Sequence, residues 1–283
     1  GFVNPGSPDH QARLLANGVN ATGYVREAHG ARRTGVCPAG LDPWRERLRD
    51  KLVAHAAGHP RIGGLLALTI GDASMFQPGD WDLFARSGTT HLVVISGMHI
   101  SLVAGFAFAG ARWLARRSPM LLARLPARAW GALAAAPALC AYAALAGWSV
   151  SVQRAVVMAL TLLAALLLER GAPVRTALAL AALTILAWQP LSALQPGFWL
   201  SFLSVAALVA GMGGRLRRPR WRDTLWRPQM VVAVALAAPL AAMGLPQAAL
   251  APLVNVVAIP LVDLLVVPAA LLGCVLLGVS NTV

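Results

Sequence analysis

The chain has 283 residues, of which 58% are hydrophobic and 12% charged, and its formal net charge is +13. A soluble domain carries roughly 25% charged residues, so this composition excludes an ordinary soluble protein and predicts a polytopic membrane protein. The charge is uneven: residues 1–87 hold ten basic and eight acidic side chains, whereas residues 88–283 hold fourteen arginines against Glu169, Asp223 and Asp263. The basic excess belongs to the apolar part, where cytoplasmic loops accumulate Lys and Arg whatever the protein does.

The segment before residue 88 combines a β-type remnant with short helices. Residues 1–40 have turn chemistry and a short predicted strand at 21–25, which is typical of the end of a soluble β module. Residues 42–57 place apolar side chains at helical spacing between charged ones, which predicts an amphipathic helix on the membrane or on that module. Residues 62–70 are apolar but too short to span a bilayer.

From residue 88 onward, apolar runs predict an all-α membrane domain of about seven to eight transmembrane helices or half-helices. The first run, 88–114, is predicted to be one spanning helix with two histidines and two serines in its outer half. The later runs are 130–148, 152–168, 174–188, 197–213, 229–246 and 249–280. The last run contains three prolines, so a re-entrant hairpin plus one helix and two short helices both remain open.

The loops predict the orientation of the domain. Residues 112–128 hold five arginines and no acid, and residues 214–228 hold six arginines against one acid. The intervening connections carry little or no charge, so the arginine-rich loops are expected in the cytoplasm. His91 then enters from the outer face, and residues 1–87, including Cys37, lie outside the cell.

Polar residues in the first run permit several kinds of chemistry. Ser96 and His99 would lie about 60° apart on one helix, which suggests an intramembrane hydrolase. Their side chains would project along the same helix, however, and Asp263 is the only candidate orienting carboxylate. His91 and His99 lack an evident third metal ligand, so we expect no metal and no cofactor. The plainer alternatives are interhelical hydrogen bonds for the histidines and close helix contact at Gly97.

Residues 88–99 read Gly-Thr-Thr-His-Leu-Val-Val-Ile-Ser-Gly-Met-His. This stretch resembles the signature of the ComEC competence family, which runs Gly, any residue, Thr or Ser, His and Leu, then apolar residues to Ile-Ser-Gly-x-His. Other blocks similar to the family follow in order: Leu68 to Asp72, Arg154-Ala155 with Met158, Gly197 to Phe202, and Asn255 with Pro260. Residues 2–6 and 21–25 resemble the end of its extracytoplasmic OB-fold module. Gln189 departs from the family, which often has Asp there, so any role of that carboxylate is absent.

The resemblance implies a channel in the cytoplasmic (inner) membrane that admits single-stranded DNA during natural transformation. It divides the chain into an OB-fold remnant at 1–40, juxtamembrane amphipathic helices at 41–87 and a C-terminally truncated transmembrane competence domain at 88–283. The expected partners are single-stranded DNA, the lipid bilayer and other competence machinery proteins. We expect no enzymatic activity in this segment, because it lacks the histidine-rich motif of the nuclease domain that many relatives add.

Buried polar groups in hydrocarbon must face protein or water, so those of the membrane segments are expected to converge on one hydrated path. The expected lining residues are His91, Ser96, Gly97, His99, Arg154, Asn255 and Asp263. Arg154 would attract phosphates, unless it merely snorkels to the interface. A small-solute transporter, with a compact central pocket, and the intramembrane hydrolase with Ser96 and His99 remain the alternative functions.

Overall fold

A computed structural model describes residues 14–15, 23, 41–56, 58–59, 61–168, 173–213, 221–245 and 248–279. Apart from three single positions, the OB-fold remnant predicted over residues 1–40, with its strand at 21–25 and Cys37, lies outside this set. Within the described residues the chain forms helices and no strand.

The helices before the first long span are α1 (Asp42–His55), α2 (Ile62–Ile70), α3 (Pro78–Ser87) and α4 (Thr90–Val93). The bundle then comprises α5 (Gly97–Arg116), α6 (Pro119–Arg124), α7 (Ala127–Leu145), α8 (Val150–Leu167), α9 (Val174–Trp188), a 3₁₀ turn (Pro190–Leu194), α10 (Pro196–Met212), α11 (Trp221–Ala242), α12 (Ala251–Leu261), a π segment (Val262–Val266) and α13 (Val267–Val279).

Helices α5 and α7 form the centre of the bundle. The short helix α6 joins them, so they run in opposite directions. Small residues on α7 allow close approach: a Cβ on Gly131 would lie 2.8 Å from the Phe108 ring of α5. Ile100 and Leu139 are fully buried in the core between these helices, which α8 completes. The start of α5 and the end of α7 therefore lie at the same end of the bundle.

Helices α1 and α2 dock onto that end. Leu48 and Leu52 of α1 pack with Leu66 and Ile70 of α2 around Cys274 of α13. The Arg45 guanidinium donates to the carbonyl oxygens of Leu145 at 3.0 Å and Ile70 at 2.9 Å, satisfying the carboxyl ends of α7 and α2. Residues 62–70, too short to span, are thus buried against the bundle.

An ion pair outside the spans holds α1 to the turn after α2. Arg49 Nε donates to Asp72 Oδ2 at 2.7 Å, and the Asp72 carboxylate also accepts from the Ser74 backbone N–H at 2.9 Å. Partial burial alone would raise the pKa of Asp72, but the hydrogen bonds from Ser74 and Arg49 outweigh it and lower that pKa. The charged form of Asp72 is therefore the one that this fold stabilises.

The prediction of one spanning helix over 88–114 is wrong. Helix α4 ends at Val93, the backbone is extended at Val94 and Ser96, and α5 begins only at Gly97. The β-branched run Val93-Val94-Ile95 has low helix propensity, and Ser96 is a favoured N-cap residue. His91 and Ser96 consequently lie outside the spanning helix.

Four helices are long and apolar enough to cross a membrane: Gly97–Arg116, Val150–Leu167, Asp223–Ala242 and Ala251–Leu277. Helices α9 and α10 are apolar but shorter. The helical membrane fold is confirmed for the described residues, although four helices, rather than seven or eight, meet these criteria of length and hydropathy. Helix α11 also begins at residue 221 instead of 229, so arginines predicted in a loop belong to its first turns.

The last run is neither a hairpin nor two separate helices. Helices α12 and α13 are continuous through the π segment. A helical proline clashes with the carbonyl four residues earlier, which for Pro268 is Leu264 within the π segment. The wider π turn accommodates that proline without ending the helix.

Candidate functional site

His99 is held in place at the start of α5. Ser96 is the N-cap residue: its hydroxyl accepts from the His99 backbone N–H at 3.4 Å, while His99 Nδ1 accepts from the Ser96 backbone N–H at 3.2 Å. This reciprocal arrangement is a capping box in which His replaces the usual Glu or Gln. The spacing Ser-x-x-His therefore fixes the orientation of a fully buried imidazole.

Across the helix contact, His99 faces Asp263 of the π segment. His99 Nε2 lies 3.0 Å from Asp263 Oδ1, and both side chains are buried. The distance is that of an ion pair, but the ring N–H is not aligned with the oxygen, so neither atom completes a hydrogen bond within the described residues. The contact is thus chiefly electrostatic.

The hydrogen bonds assign the histidine tautomer. Nδ1 accepts a backbone N–H and so carries no proton, which leaves the ring proton on Nε2 facing Asp263. Both ring nitrogens are therefore directed at groups other than the Ser96 hydroxyl. A serine nucleophile needs its hydroxyl on a ring nitrogen of the base, so these three residues are not arranged as a hydrolase triad.

Two neighbouring residues differ in their roles. His91 lies on α4 with an exposed side chain, close enough to His99 and Asp263 to interact with both electrostatically. A Cβ on Gly97 would lie 3.3 Å from the Ala155 Cβ of α8. Gly97 thus permits close contact between α5 and α8, as small residues do in membrane bundles.

Arg154 occupies a separate place, on α8 against the start of α10. Its Nε and Nη1 are buried without a hydrogen-bond partner among the described residues. A Cβ on Gly197 would lie 2.9 Å from Nη2, so the guanidinium occupies the space that the glycine leaves. Asn255, two turns before Asp263 on the same continuous helix, is also buried with an unpartnered Oδ1. The seven predicted lining residues therefore do not all meet at one point.

Four of the predicted lining residues are buried, although most residues of the helices that carry them are not. In the three candidate spans that contain them, no more than 22% of residues are buried. His99, Arg154, Asn255 and Asp263 nevertheless expose only 0%, 6%, 6% and 4% of their surface. The bundle thus shields these polar groups from lipid, as the cost of placing them in hydrocarbon requires.

A small cleft borders Arg154, lined also by Gln153, Val157, Ile185, Trp188 and Gln189, and its volume of about 10 Å³ has room for about one water molecule. It is smaller than the roughly 300–1,000 Å³ of ordinary ligand pockets. Among the described residues, no group of three or more His, Cys, Asp or Glu side chains is arranged to hold a metal ion.

The family model described as Competence protein matches residues 68–282, which include the last three residues of α2 and every described helix after it. The chain belongs to the competence protein family. The resemblance to ComEC carried by residues 88–99, 154–158 and 197–202 is thereby confirmed.

This competence protein is similar to two curated proteins. It is 38% identical over 97% of its length to "Competence protein ComA" of Neisseria gonorrhoeae, covering 40% of that protein. It is 28% identical over 73% of its length to "Recombination protein 2" of Haemophilus influenzae, covering 25% of that protein. The chain thus spans less than half the length of either relative. No solved structure gives a significant match.

Sequence reasoning missed two residues of the competence domain. Gly197 was recognised only as part of a motif, although it makes room for Arg154. Gln195, the N-cap residue of α10, has a buried Nε2 without a hydrogen-bond partner among the described residues. The sequence signal for both residues is Gln195-Pro196-Gly197, because a proline followed by a glycine is typical of the start of a helix that another group approaches closely.

Proposed function

We propose that this competence protein is the integral membrane channel through which single-stranded DNA crosses the cytoplasmic membrane during natural transformation. In this proposal residues 1–87 are extracytoplasmic, and the described part of the chain has no catalytic activity of its own. Other competence machinery proteins deliver the DNA and receive it.

The observation that carries the proposal is the buried polar set in otherwise lipid-facing helices. In a competence protein, the polymer that must cross the membrane is an anion with one phosphate per nucleotide. A path for it needs groups that replace water along the helices, and His99, Arg154 and Asn255 offer hydrogen bonds at membrane depth. Arg154 attracts the phosphates, while the contact with His99 keeps Asp263 from repelling them freely.

The conducting form must be more open than the arrangement described here. The cleft at Arg154 has a volume of only about 10 Å³, which is too small for a strand of nucleotides to pass. Conduction in this proposal therefore involves separation of α8 from α9 and α10, the helices that border the cleft and Arg154.

The arrangement of Ser96 offers no support for the hydrolase alternative, because its hydroxyl caps α5. The cleft at Arg154 is too small to support the small-solute transporter alternative. Both alternatives predict that DNA entry is unaffected when Arg154 is replaced.

The proposal is tested with His99→Ala and Arg154→Ala in a transformable cell. Loss of a charge-assisted hydrogen bond weakens an interaction by about tenfold or more, so we expect each variant to lower entry of labelled, nuclease-protected DNA by at least that factor. Entry is compared per amount of protein in the membrane, because loss of the His99–Asp263 contact lowers stability. The exposed His59 and Arg175 provide matched controls as His59→Ala and Arg175→Ala, which should retain normal entry. Normal transformation by both test variants at equal protein levels would refute the proposal.

A further inference from the structure

Hydrogen-bond donors without partners lie close together at the start of α10. The first turn of any α-helix presents backbone N–H groups without intrahelical partners and the positive end of the helix dipole. In α10 the Gly197 N–H is the group left within the described residues, because Pro196 has no N–H and those of Gln195 and Phe198 donate to the carbonyl oxygens of Ser192 and Gln195. The N-cap residue is Gln195, whose side chain does not cap the helix. Its buried Nε2 has no hydrogen-bond partner within the described chain. This terminus therefore lacks the side-chain acceptor that N-caps usually supply.

The second, independent observation is the Arg154 guanidinium at the same place. It lies against Gly197, the second residue of α10, and is more than nine-tenths buried. Its Nε and Nη1 are left without partners, and no carboxylate forms an ion pair with it among the residues described. A buried guanidinium normally has an anionic partner, because leaving the charge alone is costly.

The neighbouring amides do not compete for this role. Gln189 Nε2 donates to Gln153 Oε1 at 2.7 Å, and Gln153 Nε2 donates to the Trp148 carbonyl at 2.8 Å. Gln189 Oε1 also accepts from the Ser192 hydroxyl at 3.4 Å, so both amides, which line the cleft beside Arg154, are hydrogen-bonded to other groups. Arg154, Gln195 and the helix terminus thus form a set of donors with no acceptor of their own.

The depth of this set points to the class of anion. Trp148, Trp188 and Trp199 surround it with exposed side chains, and tryptophan favours the interface between hydrocarbon and water. Phosphodiester groups of lipids lie at that depth, and those of an incoming strand must pass it. Carboxylate ligands would fit the charge equally, but the forked guanidinium and a helix N-terminus together are the usual means of holding phosphate.

We infer that Arg154, Gln195 and the N-terminus of α10 form a binding site for one phosphodiester group. The site takes this group either from the backbone of single-stranded DNA or from a phospholipid head. The DNA source rests on the proposed function, whereas the lipid source does not.

The test uses the purified chain in detergent and measures its affinity for fluorescent dT12 by anisotropy over a range of salt concentrations. In Arg154→Gln we expect the Kd to rise about tenfold or more. The slope of log K against log salt should fall by about 0.7, the value for one phosphate contact on a single strand. Arg175→Gln removes the same charge from the exposed first turn of α9 and should change the Kd less than twofold.

Two further variants keep the test decisive if Arg154→Gln does not fold. Arg154→Lys keeps the charge but loses the fork, so it should bind dT12 more weakly with an unchanged salt slope. Gly197→Ala places a methyl group 2.9 Å from Nη2 and should weaken binding severalfold. A dT12 with an uncharged methylphosphonate backbone should not distinguish wild type from any variant.

A parallel arm separates the two sources. Short-chain phosphatidylglycerol is added, and its retention is measured by native mass spectrometry. Retention that depends on Arg154, with no dT12 binding by the wild type, would support the site with a lipid ligand and count against the proposed function. Dependence of dT12 binding on Arg154 supports both. Equal binding of dT12 and of lipid by wild type, Arg154→Gln and Gly197→Ala would overturn the site.

Discussion

The His99–Asp263 contact permits a stability experiment with a clear sign. Both side chains are buried and their nearest atoms lie 3.0 Å apart. Removing His99 leaves the Asp263 carboxylate buried alone, which costs about 3–5 kcal/mol, whereas removing Asp263 leaves the neutral His99 ring N–H unpaired, at about 1–3 kcal/mol. Replacing both with apolar groups is often close to neutral. His99→Leu also removes the hydrogen bond from the Ser96 backbone N–H to Nδ1, at a cost of about 1 kcal/mol.

We therefore expect His99→Leu to lower the free energy of unfolding by about 3 kcal/mol or more, and Asp263→Leu by about 1–3 kcal/mol. The double variant should lose chiefly the hydrogen bond between Ser96 N–H and Nδ1, about 1 kcal/mol. It should accordingly be about 2 kcal/mol more stable than His99→Leu. An interhelical hydrogen bond between neutral groups would give at most about 1.7 kcal/mol of coupling, so a larger value identifies an electrostatic pair.

The assay is reversible unfolding of the purified chain in mixed micelles, followed by tryptophan fluorescence. Protein levels in isolated membranes give an independent ranking of the same variants. If the double variant loses the sum of the two single losses, the side chains are not coupled, and the account of this contact is wrong. Under the proposed function, the double variant should remain deficient in DNA entry despite its stability.

Three other outcomes follow from the fold. Gly71→Ala should destabilise the protein by more than the roughly 1–2 kcal/mol of strain from a left-handed backbone, because its Cβ would lie 2.5 Å from a backbone carbonyl oxygen. Gly58 also has a positive φ but faces open space, so Gly58→Ala should cost only that strain. The lowered pKa of Asp72 adds stability that is present above its ordinary pKa near 3.8 and lost as pH falls through the lowered value. Arg49→Gln should reduce this acid sensitivity, by less than about 1 kcal/mol because the pair is partly exposed. The comparison is made by unfolding both proteins at pH 6 and at pH 3. Cysteine at Met120, in a chain without its native cysteines, should resist impermeant reagents applied to intact cells, and labelling from outside would reverse the proposed orientation.

The helices were largely predictable, because their signal is a long apolar run. Runs 130–148, 152–168 and 174–188 match α7, α8 and α9 to within a few residues. The sequence also indicates the break before α5, because Val93, Val94 and Ile95 are β-branched and have low helix propensity. Hydropathy alone does not reveal this break, since these residues are apolar. Continuity across Pro260 and Pro268 could not be predicted, since it depends on a π turn that local sequence does not specify.

The site was predictable as a set of residues but not as an arrangement. A polar side chain in an apolar run is visible in the sequence, which is why His99, Arg154 and Asp263 were found. Which of them meet is decided by helix packing: α5 lies against the π segment, while Arg154 faces α10. The role of Gly197 could not be predicted, because what it contributes is the space that a side chain would otherwise fill next to Arg154.

The core shared by α1, α2 and α13 has a consequence for biosynthesis. Leu48 and Leu52 pack around Cys274, and Lys51 Nζ donates to the carbonyl oxygen of Leu277, which is 226 residues later in the chain. At about 5–20 residues per second, the ribosome needs roughly 11–45 s to make that interval. For this time the core shared by α1 and α2 lacks α13, so nascent chains halted before residue 274 should leave both helices more accessible to protease than they are in the finished chain.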